Sequence, residues 1–315
     1  MTSVVIPVYN GENTMRKTLQ SLLSQQDFFN ELIIVDDHSK DNVVGLIENF
    51  LSPKKISYKI IRHQKNQGLA ASYNAGIKAA HGELVVLMHQ DVILYSDSLK
   101  LLLQPLADPQ VACAYHYTYQ PFEIWQKYNF WQKYFFCRWV DKKIYGMNGK
   151  FDCFRRQALI DNGPFDETTF HSAGEDSDML IRLKNKGKVI KSQAGILHLH
   201  DGKPNFNLLD IVKKQAQLSE AQGALFRKHG LFSGPVGLVK SFFREILLVA
   251  LLIPYLNWLA LILVVVYIFL ISRQMYFHEY KNPRILILPF LNVFLLLVSL
   301  FFSARGFIQG RQIFH

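Results

Sequence analysis

The period of the apolar positions changes several times along the chain. Val4-Val5-Ile6-Pro7-Val8 is a continuous run that predicts a strand buried on both faces, and Met15, Leu19, Leu22 and Leu23 follow at the spacing of one helical face. Leu32 to Val35 is a second short, β-branched run, ending at Asp36-Asp37. The pattern then predicts a helix over about 42–51, an alternating strand over 56–60, a helix over 70–80 and a buried strand over 84–88 that stops at His89-Gln90-Asp91. Strands and helices alternating in this way predict an α/β fold with a mostly parallel sheet and helices on both faces. Ligands of such sheets bind beyond the carboxyl ends of the strands, and both acidic clusters fall there.

The far end reads differently. Ile246 to Ile271 and Ile285 to Phe302 contain no charged residue. As helices at ~1.5 Å per residue they reach roughly 39 and 27 Å against a hydrocarbon core of ~30 Å, so both can span a bilayer. The first is long enough to begin as an interfacial helix and turn inward at Pro254. Ile253-Pro254-Tyr255-Leu256-Asn257 is echoed by Leu288-Pro289-Phe290-Leu291-Asn292, which fits two kinked helices paired through their asparagines or chance similarity of apolar text. The expected organisation is a catalytic domain over 1–202, a basic amphipathic connector over 203–245, a membrane hairpin over 246–302 and a cytosolic tail over 303–315.

Composition supports that division. Charged residues make up 19% of the chain, below the roughly 25% of an average soluble domain, and the shortfall lies in the two apolar runs. The 24 Phe and 14 Tyr exclude disorder as the main state. Three widely spaced cysteines, Cys113, Cys137 and Cys153, form neither a zinc cluster nor a disulfide framework. Of the net charge of +10, most lies after residue 202, beside the apolar runs, where anionic lipid attracts it; a nucleic-acid partner is not expected. Arg227, Lys228, Lys240 and Arg244 precede the hairpin, Arg305 and Arg311 follow it, and Arg273, Lys281 and Arg284 lie between. That bias puts both termini in the cytoplasm. The first residues lack the basic and apolar regions of a secretion leader, which agrees with a cytosolic catalytic domain.

Several strings carry a family resemblance. Val5-Ile6-Pro7-Val8-Tyr9-Asn10 with Glu12, Ile34-Val35-Asp36-Asp37-His38-Ser39, and Asn66-Gln67-Gly68-Leu69-Ala70-Ala71-Ser72-Tyr73-Asn74-Ala75-Gly76 resemble the successive donor-site motifs of family 2 inverting glycosyltransferases of the GT-A fold. Gly174-Glu175-Asp176-Ser177-Asp178 with Arg182 and Gly187 resembles the acceptor-site motif. The resemblance covers about residues 2–202. It implies a GT-A nucleotide-diphospho-sugar transferase fold that takes a nucleoside-diphosphate sugar, with UDP or dTDP the expected carriers.

The resemblance also implies roles. Asp37 would accept the imide N–H of a uracil or thymine ring, with a helix N-cap as the competing use for it and for Asp36. Pro7, Tyr9 and Glu12 would frame base and ribose, and Asn66, Gly68, Asn74 and Gln90 would complete the donor site. Glu12 alone also reads as a first-turn carboxylate favoured by the helix dipole. The sequence departs from the pattern at His89-Gln90-Asp91, where family members usually carry Asp-x-Asp. A single Asp91 still suffices for Mg²⁺ or Mn²⁺, since these ions take one or two protein carboxylates with phosphate oxygens and waters. His198 matches a histidine that often follows the acceptor motif and would give a second ligand or a diphosphate contact; a strand histidine bonded to a backbone carbonyl is the plainer reading. His200 is the less expected of the pair.

An inverting transfer is a single displacement, so the acceptor hydroxyl must lose its proton as it attacks, and a positioned carboxylate does this. Asp176 is the first choice and Glu175 the reserve, against the alternative that both only complement a helix N-terminus. Arg155 and Arg156 are either an acceptor-side basic pair or solvated charges. The twelve aromatic residues between Tyr115 and Trp139 suit a sugar-stacking wall, an interfacial helix, or plain core. The combined expectation is transfer of a sugar to a membrane-associated, polyprenyl-diphosphate-linked glycan. The alternatives are a polyprenyl-phosphate sugar synthase and a catalytically silent sugar-nucleotide-binding membrane protein. A processive synthase is not expected, because no Gln-x-x-Arg-Trp follows Asp176.

Overall fold

The structure, a computed structural model, describes residues 1–170, 173–184, 186–199, 205–230 and 234–313, without the side chains of 234–238 and 240. His200 and the start of the expected connector lie outside the described residues. The chain forms two compact units that do not follow chain order. One comprises Met1–Gln120, Lys142–Glu167 and Glu175–Pro204; the other comprises Pro121–Asp141, Thr168–Gly174 and Asn205–His315. The expected boundary at residue 202 therefore misses two excursions of the earlier chain into the second unit.

Elements are numbered in chain order across both units. The first unit contains β1 (Thr2–Val8), α1 (Glu12–Leu23), β2 (Glu31–Asp36), α2 (Val43–Leu51), β3 (Tyr58–Arg62), α3 (Leu69–Ala79), β4 (Leu84–Met88), β5 (Val92–Leu94), α4 (Ser98–Leu103), β6 (Val111–Tyr119), β7 (Lys143–Tyr145), β8 (Phe151–Arg155), α7 (Arg156–Asn162), α8 (Glu175–Leu183) and β9 (Lys188–His198). Its sheet runs β3-β2-β1-β4-β8-β6-β9-β5, with β7 on β6. All seven residues of β1 are buried, and its side chains alternate between the two faces. Val4, Ile6 and Val8 join Met15, Leu19 and Leu22 of α1 and Ile47 and Leu51 of α2. Val5 faces the other way, with Ala70 and Tyr73 of α3. The continuous apolar runs are thus what a strand covered by helices on both sides requires.

The first four strands of the order are parallel, as expected. Beyond them β8 is antiparallel to both β4 and β6, while β9 is parallel to β6. The sheet is mixed here, and antiparallel neighbours need no crossover helix between them.

The second unit contains α5 (Phe122–Trp125), α6 (Phe130–Phe136), α9 (Leu208–His229), α10 (Gly234–Ala250), α11 (Asn257–His278) and α12 (Leu288–Gln309). The aromatic run supplies its core. Trp125, Phe130, Tyr134 and Phe136 pack with Ile211, Met275, Leu288 and Leu291, and Trp125 is 1% exposed. A sugar-stacking wall is excluded for these buried rings, since a sugar cannot reach a face already covered by protein.

Helices α9 and α12 touch backbone to backbone. A Cβ added at Gly223 would lie 2.0 Å from the Ser303 carbonyl oxygen, and one at Gly306 would lie 2.0 Å from that of Glu220. Small residues permit such approaches. Where the crossing buries Glu220, the Arg305 guanidinium meets it at 3.1 Å. Within the stretch read as a basic amphipathic connector, α9 packs with Ser219, Ala221 and Ala224 buried.

The first apolar run is not one helix. α10 ends at Ala250, Tyr255 takes φ +70°, and α11 starts afresh at Asn257. Pro254 causes the break, since it lacks an N–H and restricts the residue before it. Two helical segments remain long and apolar enough to cross a membrane, Asn257–His278 and Pro283–Gln309, each extending past the charge-free run. Their outward side chains are exposed, Trp258 by 73% and Phe290 by 77%. The asparagines do not pair with each other: Asn257 Oδ1 accepts from Trp258 N–H, whereas Asn292 accepts from the Tyr134 hydroxyl and donates to Ser272.

Candidate functional site

The acidic clusters sit where the parallel strands end. Asp37 follows β2 directly, and its N–H donates to the Val8 carbonyl of β1. Its carboxylate is 4% exposed and accepts three hydrogen bonds. The Gln67 and Gly68 amides each donate at 2.8 Å, and His63 Nδ1 lies at 2.8 Å. Asn66 donates to the Asp37 carbonyl. Gly68, with φ +91°, turns the chain into α3 in a conformation only glycine adopts at little cost. Asp37 thus ties the turn before α3 to the end of β2, and one of the four lone-pair directions of a carboxylate remains for a ligand. Asp36 accepts from Ser39 N–H two residues past Asp37 and faces Arg62 at 3.7 Å, so it serves the local turn.

The loop after β1 is held from two sides. Gln90 Oε1 accepts from Tyr9 N–H, and Gln90 Nε2 donates to the Tyr9 carbonyl. Gly11 lies so close that an added Cβ would sit 2.3 Å from Gln90 Oε1. Gln90 is therefore a clamp on the loop that presents Tyr9, itself 43% exposed. Pro7 pairs with Val35 of β2 but lies past the β4 pairing, which ends at Val5, so its missing N–H costs no ladder bond. Glu12 opens α1, accepts from Asn42 N–H and donates its own N–H to Asp41. Asn74 donates to the Phe165 carbonyl and to Glu167 and accepts from Phe165 N–H, so it ties α3 to the 165–167 loop.

His89, Asp91 and His198 converge, with one donor atom from each lying within 4.8 Å of the others. Pairing of β5 with β9 sets Val92 opposite His198, which explains how residues over a hundred positions apart meet. His198 Nε2 is 3.1 Å from Asp91 Oδ2, and His89 Nδ1 is 4.0 Å from Asp91 Oδ1. An octahedral ion with ligands at ~2.1 Å sets adjacent ligands ~3.0 Å and opposite ligands ~4.2 Å apart, so the three residues fit a divalent cation. Burial pushes the His89 imidazole down to about 3, against the pull of Asp91, and a neutral ring is the form that binds metal. Its Nε2 is buried without a hydrogen bond. His89 was not among the sequence candidates; its signal was the replacement of an acid by another ligand type rather than by an inert residue.

The second acidic cluster begins α8. Asp176 Oδ1 accepts from Ser177 N–H at 2.6 Å. Burial raises its carboxyl above the ordinary range, opposed by that hydrogen bond and by Lys150. Glu175 is buried, and Asp178 forms an ion pair with Arg182 at 2.9 Å. The buried Tyr73 phenol is held far above its usual range, first by burial and then by the charges of Glu175, Asp152, Asp176 and Asp91. The acids at the start of α8 and Asp91 thus act on one ring, and the His89 ring stacks on it with centroids 6.3 Å apart. The Tyr73 hydroxyl donates to the Gly149 carbonyl at 2.7 Å.

Asp152 carries no motif and was missed in the sequence. Fully buried, it accepts from Asn148 and Gly149 N–H and contacts His116 Nδ1 at 2.9 Å. It fixes the turn leading to Lys150, whose carbonyl accepts from His89 N–H. Arg155 bonds the carbonyls of Leu106, Asp108 and Val111, so it ties loops together instead of presenting a charge.

A mostly parallel α/β sheet thus carries acids and a His-Asp-His cluster at the ends of its strands. Residues 3–169 match the family described as Glycosyl transferase family 2, and the chain belongs to that family. A glycosyltransferase of Rickettsia felis is 36% identical over 102 residues, 32% of this chain and 16% of that protein. The glycosyltransferase GlyA of Streptococcus pneumoniae is 28% identical over 124 residues, 38% of this chain and 17% of that protein. The chain thus spans less than a fifth of the length of either relative. Among solved structures, the mannosyltransferase PcManGT of Pyrobaculum calidifontis, in complex with GDP-Man and Mn²⁺, superposes with a TM-score of 0.62 at 16% identity, covering 98% of this chain and 86% of its own. Glucosyl-3-phosphoglycerate synthase of Mycobacterium tuberculosis, with Mn²⁺, UDP and phosphoglyceric acid, gives 0.52 at 17% identity, covering 73% and 78%. These likenesses establish the GT-A fold.

Proposed function

We propose that the chain transfers one sugar, with inversion, from a UDP- or dTDP-linked donor to a membrane-associated glycan acceptor carried on polyprenyl diphosphate. The observation that carries the reading is the convergence of His89, Asp91 and His198 in the same unit of a family 2 fold that holds the raised Asp176 carboxyl. Asp37 would take the base imide on its remaining acceptor position, and the Gln90 clamp would present Tyr9 beside it. Asn66 and Gly68 would shape the donor side of the turn before α3. His89, Asp91 and His198 would hold Mg²⁺ or Mn²⁺, which offsets charge on the departing diphosphate.

In the reaction the acceptor hydroxyl oxygen bonds to the anomeric carbon as the bond to the diphosphate oxygen breaks. The hydroxyl proton passes to Asp176, and the nucleoside diphosphate leaves from the opposite face. A carboxyl raised by burial is a stronger base than a solvated one, which favours this step at neutral pH. Glu175 is the reserve.

Membrane attachment through α11 and α12, with the catalytic unit in the cytosol, is supported by the length and polarity of the two segments and by their exposed apolar flanks. The test is a screen of nucleotide sugars with the full chain in membranes and lipid extract as acceptor, read as nucleoside diphosphate release and as sugar in the lipid phase. Release of nucleotide with no lipid-phase product from any donor would remove the acceptor part of the reading. Absence of donor binding would remove the whole.

A further inference from the structure

The aromatic run divides between the two units. Trp125 and Phe130 join the core of the second, whereas Tyr115 and Tyr117 lie on β6 of the first. The β6–β7 register sets Tyr117 opposite Tyr145, and the two rings meet with centroids 5.5 Å apart. Lys143 of β7 holds its ammonium 4.6 Å from the Tyr117 ring centre, and Lys191 of β9 holds its own 5.7 Å from that of Tyr145. Gly195 faces Tyr117 across the β6–β9 ladder, where an added Cβ would stand 2.5 Å from the ring. The missing side chain lets the ring lie close against β9.

Both lysines are exposed and both rings half-buried. Among the described residues neither ammonium meets a carboxylate, and the hydroxyls of Tyr117 and Tyr145 make no hydrogen bond. A ring with an apolar face and a hydroxyl tip matches a sugar, which has an apolar C–H face and a rim of hydroxyls. A cation over an exposed ring is held weakly, so each ammonium stays able to meet an anion. The patch also adjoins the chemistry. β6 runs in the direction of β4, with the antiparallel β8 between them, so Tyr117 stands past Tyr115 towards the strand ends that carry the site. Tyr115 pairs with Asp152 of β8, and Asp152 is one of the charges that act on Asp176.

We propose that this patch binds the acceptor glycan, with sugar rings against Tyr117 and Tyr145, and that the glycan is acidic, its carboxylates meeting Lys143 and Lys191. The proposal rests on the reading of the first unit as a sugar transferase with a nucleotide-linked donor. It adds the class of acceptor: a chain with uronic acid residues near the end that is extended. A neutral acceptor would leave both ammoniums without a partner.

The test uses the full chain in detergent micelles, with binding read by saturation-transfer NMR. The probes are a tetrasaccharide of alternating glucuronic acid and N-acetylglucosamine, and the same tetrasaccharide with its carboxyls reduced to alcohols. The acidic form should bind, and the reduced form should bind about three- to tenfold more weakly, since two exposed charge contacts are lost. Added salt should weaken the acidic form alone. Lys143→Gln with Lys191→Gln should bring the acidic form down to the level of the reduced one, and Tyr145→Ala should weaken both. The lysine variant changes only exposed side chains, so it keeps the test valid should Tyr145→Ala fail to fold, and its binding of UDP with Mn²⁺ should be that of wild type. Equal binding of the two tetrasaccharides, or a lysine variant that binds as wild type does, would overturn the proposal. Binding of neither would overturn it too, and phosphatidylglycerol retained by wild type but lost from the lysine variant would then assign the patch to an anionic membrane surface. Failure of wild type to bind UDP would instead sink the donor reading on which the proposal rests.

Discussion

Asp176→Asn should have opposite effects on turnover and on stability. The asparagine keeps the shape of the side chain and can still accept from Ser177 N–H, which Asp176 does at 2.6 Å, so the start of α8 is preserved. What is lost is a proton acceptor, and removing a positioned base costs roughly 10² to 10⁴ in rate, or about 2.7–5.4 kcal/mol of barrier. Stability should move the other way. Burial raises the Asp176 carboxyl above the ordinary carboxylate range, so the folded state holds its proton more tightly than the unfolded state. That advantage of the protonated folded state is complete below the unfolded pKa. It disappears as pH rises through the folded pKa, beyond which the buried charge is a constant burden. The neutral amide escapes this, so the variant should melt higher than wild type at pH 7 and equal to it near pH 3. Nucleoside diphosphate release and thermal melting on one preparation give both readings. Turnover near wild type would pass the base role to Glu175, and a lower melting temperature at neutral pH would refute the account of the carboxyl as a stored cost.

Three further outcomes follow from the geometry. Asp91→Ala should abolish Mn²⁺ binding measured by calorimetry in the presence of UDP, and His89→Ala should weaken it by about tenfold or more, since each removes one of three converging ligands; unchanged affinity in His89→Ala would restore the two-ligand site expected from sequence. Gly306→Ala should lower the melting temperature of the detergent-solubilised chain, because its Cβ would stand 2.0 Å from a carbonyl oxygen and forcing the helices apart costs typically 1–3 kcal/mol; an unchanged melting curve would deny the close crossing of α9 and α12. Gln90→Ala should raise the KM for the donor with little change in kcat, by releasing both ends of its clamp on Tyr9; equal loss in kcat would place Gln90 nearer the chemistry.

The parallel half of the sheet was legible because its strands are buried on both faces. Burial on both faces writes itself as unbroken apolar runs such as Val4 to Val8, and the runs Leu32 to Val35 and Leu84 to Met88 are followed within three residues by acids. The two segments of membrane length were legible for a similar local reason: the runs after Leu256 and before Ser303 carry no charged residue. Local text also marked Pro254 as the place where a helix must stop.

Other features depend on residues far apart in the chain. The antiparallel place of β8 and the departure of 121–141 into the second unit follow from which apolar faces meet, and Trp125 looks the same in sequence whether it covers a sugar or a core. His89 joins a three-residue cluster only because the β5–β9 pairing brings His198 to Asp91. Asn74 spends its amide on Phe165 and Glu167, some ninety residues on. Asp152 has no local signature, since its task is to bond two backbone amides and a buried histidine. Residue type and short-range period record what solvent each position meets; which buried polar group satisfies which other is decided only when the chain closes on itself.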